Sequence, residues 1–212
     1  MTPDSRTART LLGCGVAAGP FYIGLGLLQM AIRPGFDIRR HPLSLLSNGE
    51  LGWIQIANFL MTGGLVVAAG GGLRTALGTG PGRSWAAPML GLYGLGLIGA
   101  GIFSADPALG FPPGTPEDNN PISFQGVMHF VAGTFGFAGF IACCFIFARR
   151  FKAVGEPAWS RFSLITGVLF LAGFLAVASG SRGASPYFAV AVLLGFVWLS
   201  AALARVRATI ST

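Results

Sequence analysis

Two stretches hold the side chains able to do chemistry in an otherwise apolar chain. The first, RPGFDIRRHPLSLLSNGE over residues 33–50, supplies Asp37, Arg39, Arg40, His41, Ser44, Ser47 and Glu50. The second runs through the loop ADPALGFPPGTPEDNNP into a new apolar run, and supplies Asp106, Gln125 and His129. A carboxylate or imidazole in a low-dielectric pocket has its proton affinity moved toward values useful for general acid–base work. On that reading His129 and Asp106 are the acid–base pair and Glu50 is a second carboxylate. Arg39 and Arg40 would clamp a phosphate or carboxylate headgroup, as guanidinia do by paired hydrogen bonds. Ser44, Ser47, Gln55, Asn58 and Gln125 complete the candidate substrate contacts. The substrate class that suits such a site is a lipid or an isoprenoid.

Other chemistries fit less well. Hydrolysis at a metal needs three protein ligands and an open position. His41, His129 and Asp106 or Asp37 are available, but no HxxxH or HExxH spacing gathers two of them. No metal is expected and no cofactor is identified. Acyl transfer would need Ser44 or Ser47 beside His129, yet there is no GxSxG turn, and a serine before a helix commonly serves as its cap. Passage of an ion or small solute past Gln55, Asn58 and His129 is the alternative to an enzyme. A third reading is a non-catalytic accessory subunit, in which Asp37–Arg40 and Asp106–Arg182 are structural ion pairs and His129 is a packing hydrogen bond.

The elements that must position these residues follow from composition. The chain has 212 residues, of which 53% are hydrophobic and 10% charged. Soluble domains carry about 25% charged residues. Six apolar runs stand out, at about 11–32, 51–73, 85–103, 124–147, 162–178 and 186–204. Each is close to the roughly 20 residues that cross about 30 Å of hydrocarbon as a helix. The runs are continuous and lack the period-two alternation of a barrel strand. The expected fold is therefore all-α, an integral membrane bundle of six transmembrane helices forming one domain over residues 1–212. Arg6 and Arg9 precede a first run too long for the core of a cleavable signal peptide.

Ten of the fourteen Lys and Arg residues fall at the two chain ends and in the connections around 74–83 and 149–161. Basic residues collect on the cytoplasmic side, so both termini are expected inside the cell, with the protein multi-pass in the inner (plasma) membrane. Residues 33–50, 104–123 and 179–185 then lie outside, together with five of the seven acidic residues. The formal charge of +7 is spread in short clusters between apolar runs. That pattern excludes a nucleic-acid face and suits anionic headgroups. The expected partners are membrane lipids, with a second copy of the chain admitted. Gln55, Asn58 and Thr62 share one helix face, which is expected to turn into the bundle. Glycines at 91, 94, 96, 99 and 101, and at 133, 136 and 139, predict close approach of the third and fourth helices. Cys14, Cys143 and Cys144 read as small buried hydrophobes.

Three segments carry a resemblance: RPGFDIRRHPLSLLSNGELGWIQIANF, GLGLIGAGIFSADPALGFPPGTP and HFVAGTFGF. In this order they resemble the DUF998 family of six-helix bacterial and archaeal membrane proteins. The resemblance covers nearly the whole chain, implies the six-helix fold, and points at Ser44, Ser47, Asp106 and His129. It implies no reaction. A more distant comparison is with the membrane hydrolases that include alkaline ceramidases, which hold zinc with three histidines in a seven-helix bundle. This chain has two histidines and departs from that pattern at the metal itself.

Overall fold

The computed structural model describes residues 3–117, 121–181 and 183–210. Among the described residues six α-helices follow one another: α1 (Pro3–Ile32), α2 (Gly52–Ala76), α3 (Ala86–Ile102), α4 (Phe124–Ala153), α5 (Pro157–Ala178) and α6 (Ala184–Ala208). A single 3-10 turn, Leu43–Ser47, interrupts the first long connection. Five of the helices are long and apolar enough to cross a membrane, and α3 is a shorter apolar helix of 17 residues. α1 and α4 extend beyond the apolar runs that define them in sequence. Each is 30 residues long, because polar and basic residues such as Arg6, Arg149 and Lys152 are tolerated helix formers, and α1 runs on through Pro20 in its interior. α4 stops before Gly155, which takes φ +79°, and Pro157 starts α5.

Each helix packs on the next in sequence, and α6 returns to α1, so the six form a closed ring. Large apolar side chains such as Phe130 and Phe135 of α4 and Val190 of α6 stand exposed on the outside of the ring, the surface a lipid tail would cover. The inside is filled by interleaved aromatics. Tyr22 stacks on Phe196 with centroids 4.1 Å apart, Tyr93 lies 4.8 Å from Phe140, and Phe140 meets Trp198 edge-on at 5.4 Å. The Trp198 indole N–H donates to Ser163 Oγ at 2.9 Å, so its polar atom is satisfied.

Glycines set the helix spacing, since without a hydrophobic drive between membrane helices, contact comes from close backbone approach. An added Cβ on Gly96 would lie 2.4 Å from the Gly136 Cα, and one on Gly63 would lie 2.6 Å from the Gly94 carbonyl oxygen. α3 is therefore pressed between α2 and α4.

The ends of the ring differ. At one end arginines close the connections: Arg150 Nη1 donates to Pro81 O at 3.1 Å, Arg207 Nε to Arg9 O at 2.9 Å, and Arg205 pairs with Glu156. The other end is covered by the two long connections, which follow α1 and α3.

Gly96→Leu should destabilise the ring by about 1–3 kcal/mol, the usual cost of overpacking a filled contact. Gly64→Leu, on α2 where an added Cβ meets nothing within 4 Å, should leave stability near wild type. Thermal unfolding of both variants in the same detergent checks the difference.

Candidate functional site at the capped end

The cap is built from the connection that follows α1 and the one that follows α3. Arg33 comes directly after α1, and its guanidinium turns inward and is buried. Nη1 donates to Leu46 O at 2.9 Å, Nη2 donates to Asn48 O, and the group lies 5.2 Å from the centre of the Phe111 ring. Burial pulls the Arg33 pKa below the usual arginine value, and a guanidinium nevertheless stays charged. The cation is thus held by backbone carbonyls and an aromatic face.

His41, also buried, joins the same two connections. Its Nδ1 accepts the Asp37 N–H at 2.9 Å, which places the ring proton on Nε2, and Nε2 donates to Leu109 O at 2.9 Å. The ring lies 5.5 Å from both Phe36 and Phe111. Leu109 holds φ +57°, a backbone conformation that L side chains rarely adopt, while presenting that carbonyl to His41. Phe111 is fully buried and forms a small separate core with Leu45, Leu46 and Ala105. On the surface Arg39 pairs with Asp37 at 2.8 Å, and Arg40 pairs with Glu117 across the two connections. The Arg39 hydrogen bonds hold the Asp37 carboxyl down at about 2. The ion pairs thus differ from the expected Asp37–Arg40, because Arg39 reaches Asp37 within one turn while Arg40 faces the second connection. Arg182 and Asp118 lie outside the described residues.

Asp106 and His129 both belong to the corner between α3 and α4, and each is held there by partners of its own. Asp106 Oδ2 accepts the Ser123 N–H at 2.8 Å, and Oδ1 accepts the Ser123 hydroxyl. Ser123 Oγ in turn accepts the Gly126 N–H at 3.1 Å and caps α4. Gly126 permits this closeness, since a Cβ there would fall 2.1 Å from Asp106 Oδ2. His129 is buried, and its Nδ1 donates to Phe103 O at 2.8 Å and lies 3.3 Å from Ala100 O. Those are carbonyls of the last turn of α3, the free acceptors that any helix C-terminus leaves. His129 also meets Phe59 of α2 edge-on, with centroids 6.2 Å apart.

The remaining predicted residues divide between the interior and the rim. Gln55 and Asn58 are buried together in a ladder between α1 and α2. Gln29 Nε2 donates to Gln55 Oε1 at 2.8 Å, Asn58 Nδ2 lies 3.3 Å from the same oxygen and 3.2 Å from Tyr22 O, and Thr62 Oγ1 donates to Asn58 Oδ1 at 3.2 Å. Ser47 is buried in the 3-10 turn, donating to Ser44 O at 2.7 Å, and Ser44 is half-buried beside it. Glu50 and Gln125 are exposed. Gln29 and Arg33 are missing from the sequence-based set. The signal for Gln29 is a lone amide inside the apolar run GLGLLQMAI, and for Arg33 an arginine directly after the last apolar residue. Among the described residues no group of three or more His, Cys, Asp or Glu side chains gathers as metal ligands.

Below the cap, on the flank of the ring, lies an apolar recess of about 30 Å³. It is walled by Tyr22, Gly26 and Met30 of α1 and Ala189 of α6, and roofed by Ile38 and Leu43 of the first connection.

A closed ring of apolar helices with one sealed end defines a helical membrane bundle. Residues 16–205 match the family described as Protein of unknown function (DUF998), and the chain belongs to that family. No curated protein and no solved structure matches it.

Ser123→Ala removes the α4 cap and should cost about 1 kcal/mol, with faster hydrogen exchange at the Gly126 amide and α6 unaffected. The Asp37 pKa is depressed, so its pairing stabilises the cap above the unfolded value of about 4 and fades as pH falls through about 2. Arg39→Gln should raise the Asp37 titration midpoint toward about 4, as read by NMR.

Proposed function

We propose that this protein binds a lipid or isoprenoid at its capped end, with the cap facing outward from the plasma membrane. The observation that supports the reading is the recess and what adjoins it. Ile38, part of its roof, runs directly into Arg39 and Arg40, so an apolar slot and two guanidinia are contiguous in the chain. The two arginine side chains are 81% and 52% exposed. Their ion pairs are surface pairs of the kind that contribute little, so an anionic headgroup can compete for either guanidinium. The concentration of basic residues at the opposite end supports the outward orientation of the cap.

Acid–base chemistry on that lipid is the proposed role of the corner, with His129 and Asp106 as the pair and Glu50 as a second carboxylate. Asp106 is held beside the start of α4 by the Ser123 N–H and hydroxyl, which fix the position of its carboxylate.

Native mass spectrometry of the purified protein should show phosphatidylglycerol retained over phosphatidylcholine, and the double variant Arg39→Gln, Arg40→Gln should lose that preference. Equal retention of both lipids by the wild type contradicts the binding reading. His129→Ala and Asp106→Asn that fold and leave every measured turnover unchanged would remove the catalytic part.

A further inference from the structure

The first connection folds back on itself through one side chain. Between Asp37 and His41 the chain makes a single turn, in which the His41 and Arg40 N–H groups donate to Asp37 O at 2.8 and 2.9 Å. The His41 ring closes the turn a second time, its Nδ1 accepting the Asp37 N–H at 2.9 Å. Within this turn sit Ile38, which roofs the recess, and Arg39 and Arg40, whose guanidinia reach the surface. The His41 residue is only 2% exposed, and its ring lies against Phe36 and Phe111.

The two ring nitrogens respond differently to a proton. A backbone N–H is always a donor, so Nδ1 holds the Asp37 amide only while it carries no hydrogen. Nε2 donates to Leu109 O in the neutral ring and is still a donor in the imidazolium. Proton uptake therefore sets two donors face to face at the Asp37 amide and leaves the tie to the second connection whole. The charged groups around His41 are already engaged. On its own turn the Asp37 carboxylate is paired with Arg39, and from the second connection Glu117 is paired with Arg40. Arg33 lies over the same Phe111 ring that His41 meets, held by the carbonyls of Leu46 and Asn48. A proton on His41 thus places a second cation beside that ring, in a buried position where a charge is poorly solvated.

We propose that His41 is a proton-sensitive clasp: proton uptake at Nδ1 releases the Asp37–His41 turn, with Ile38, Arg39 and Arg40 on it, while Nε2 keeps the two connections joined. The neutral ring belongs to the closed turn. Closure is therefore favoured above the range in which an imidazole titrates and weakens as pH falls through that range. The clasp stands on the hydrogen bonds of the cap itself and operates with or without a bound lipid.

Hydrogen exchange of the full chain in a mild detergent, read as protection factors at about pH 7.5 and about pH 5.5, brackets that range. Asp37, whose carboxyl is held down at about 2, stays ionised at both. The Asp37 amide should lose about tenfold in protection at the lower pH, the scale of one hydrogen bond. The Ala108 and Phe111 amides, each bonded to the other's carbonyl in the second connection, should keep theirs. His41→Asn offers a side-chain oxygen in place of Nδ1 that does not titrate, and should make the Asp37 protection independent of pH. Unchanged protection at Asp37 in the wild type overturns the proposal, and that result stands whether or not the variant folds. A pH response that survives His41→Asn overturns it too. So does a loss shared equally by Asp37, Ala108 and Phe111, which would mean that the cap opens as a whole.

Discussion

The buried guanidinium of Arg33 is the contact on which the capped end depends. A cation taken out of water needs compensation from oriented dipoles or an opposite charge. Here the compensation is the carbonyls of Leu46 and Asn48 and the face of Phe111. Each of those partners fixes something else. The carbonyls pin the 3-10 turn over the start of α2, where a Cβ on Gly52 would already strike Ser47 O at 2.3 Å. Phe111 brings the second connection over the ring and gives His41 a neighbour. Loss of the guanidinium would leave two carbonyls and an aromatic ring without their shared partner, and the two connections would lose one of the links between them, beside His41–Leu109 and Arg40–Glu117.

The ring beneath obeys the same rule in a different form. In hydrocarbon every backbone polar group must be satisfied within the chain, which leaves helices as the spanning elements. Side-chain polarity is then confined to places where partners exist. The Gln29, Gln55, Asn58 and Thr62 ladder supplies its own partners between α1 and α2, and Trp198 finds Ser163. The corner of α3 and α4 works likewise. Helix ends leave free carbonyls and free N–H groups, and His129 takes the first while Asp106 and Ser123 take the second. Two residues whose types suggest chemistry are, in this state, the groups that hold a helix corner together.

How much of this is legible in the residues themselves follows from range. Continuous apolar runs announce the six helices, and the spacing of Gln55, Asn58 and Thr62 announces an inward polar face, because both signals are local. The glycine series in the third helix announces close packing, and Gly96 does meet Gly136, but Gly94 turns to Gly63 of α2, which no local pattern declares. The cap is opaque to such reading. His41 meets Leu109 and Arg40 meets Glu117 across long stretches of chain, and nothing near His41 names a partner. Arg33 reads as a flanking charge until Phe111 is seen beneath it. Gln29 reads as one polar residue in an apolar run until its amide is seen to meet Gln55 of α2.

The capped end is therefore a closed, two-connection lid over a ring of helices, with a small apolar recess between the first and the last. An experimental structure of the full chain in lipid nanodiscs tests this most directly. The predicted result is Arg33 buried over Phe111 with the two connections in contact, and lipid density at the recess between α1 and α6 under Ile38 and Leu43. Connections that lie apart, with the recess closed and no lipid beside it, would contradict it.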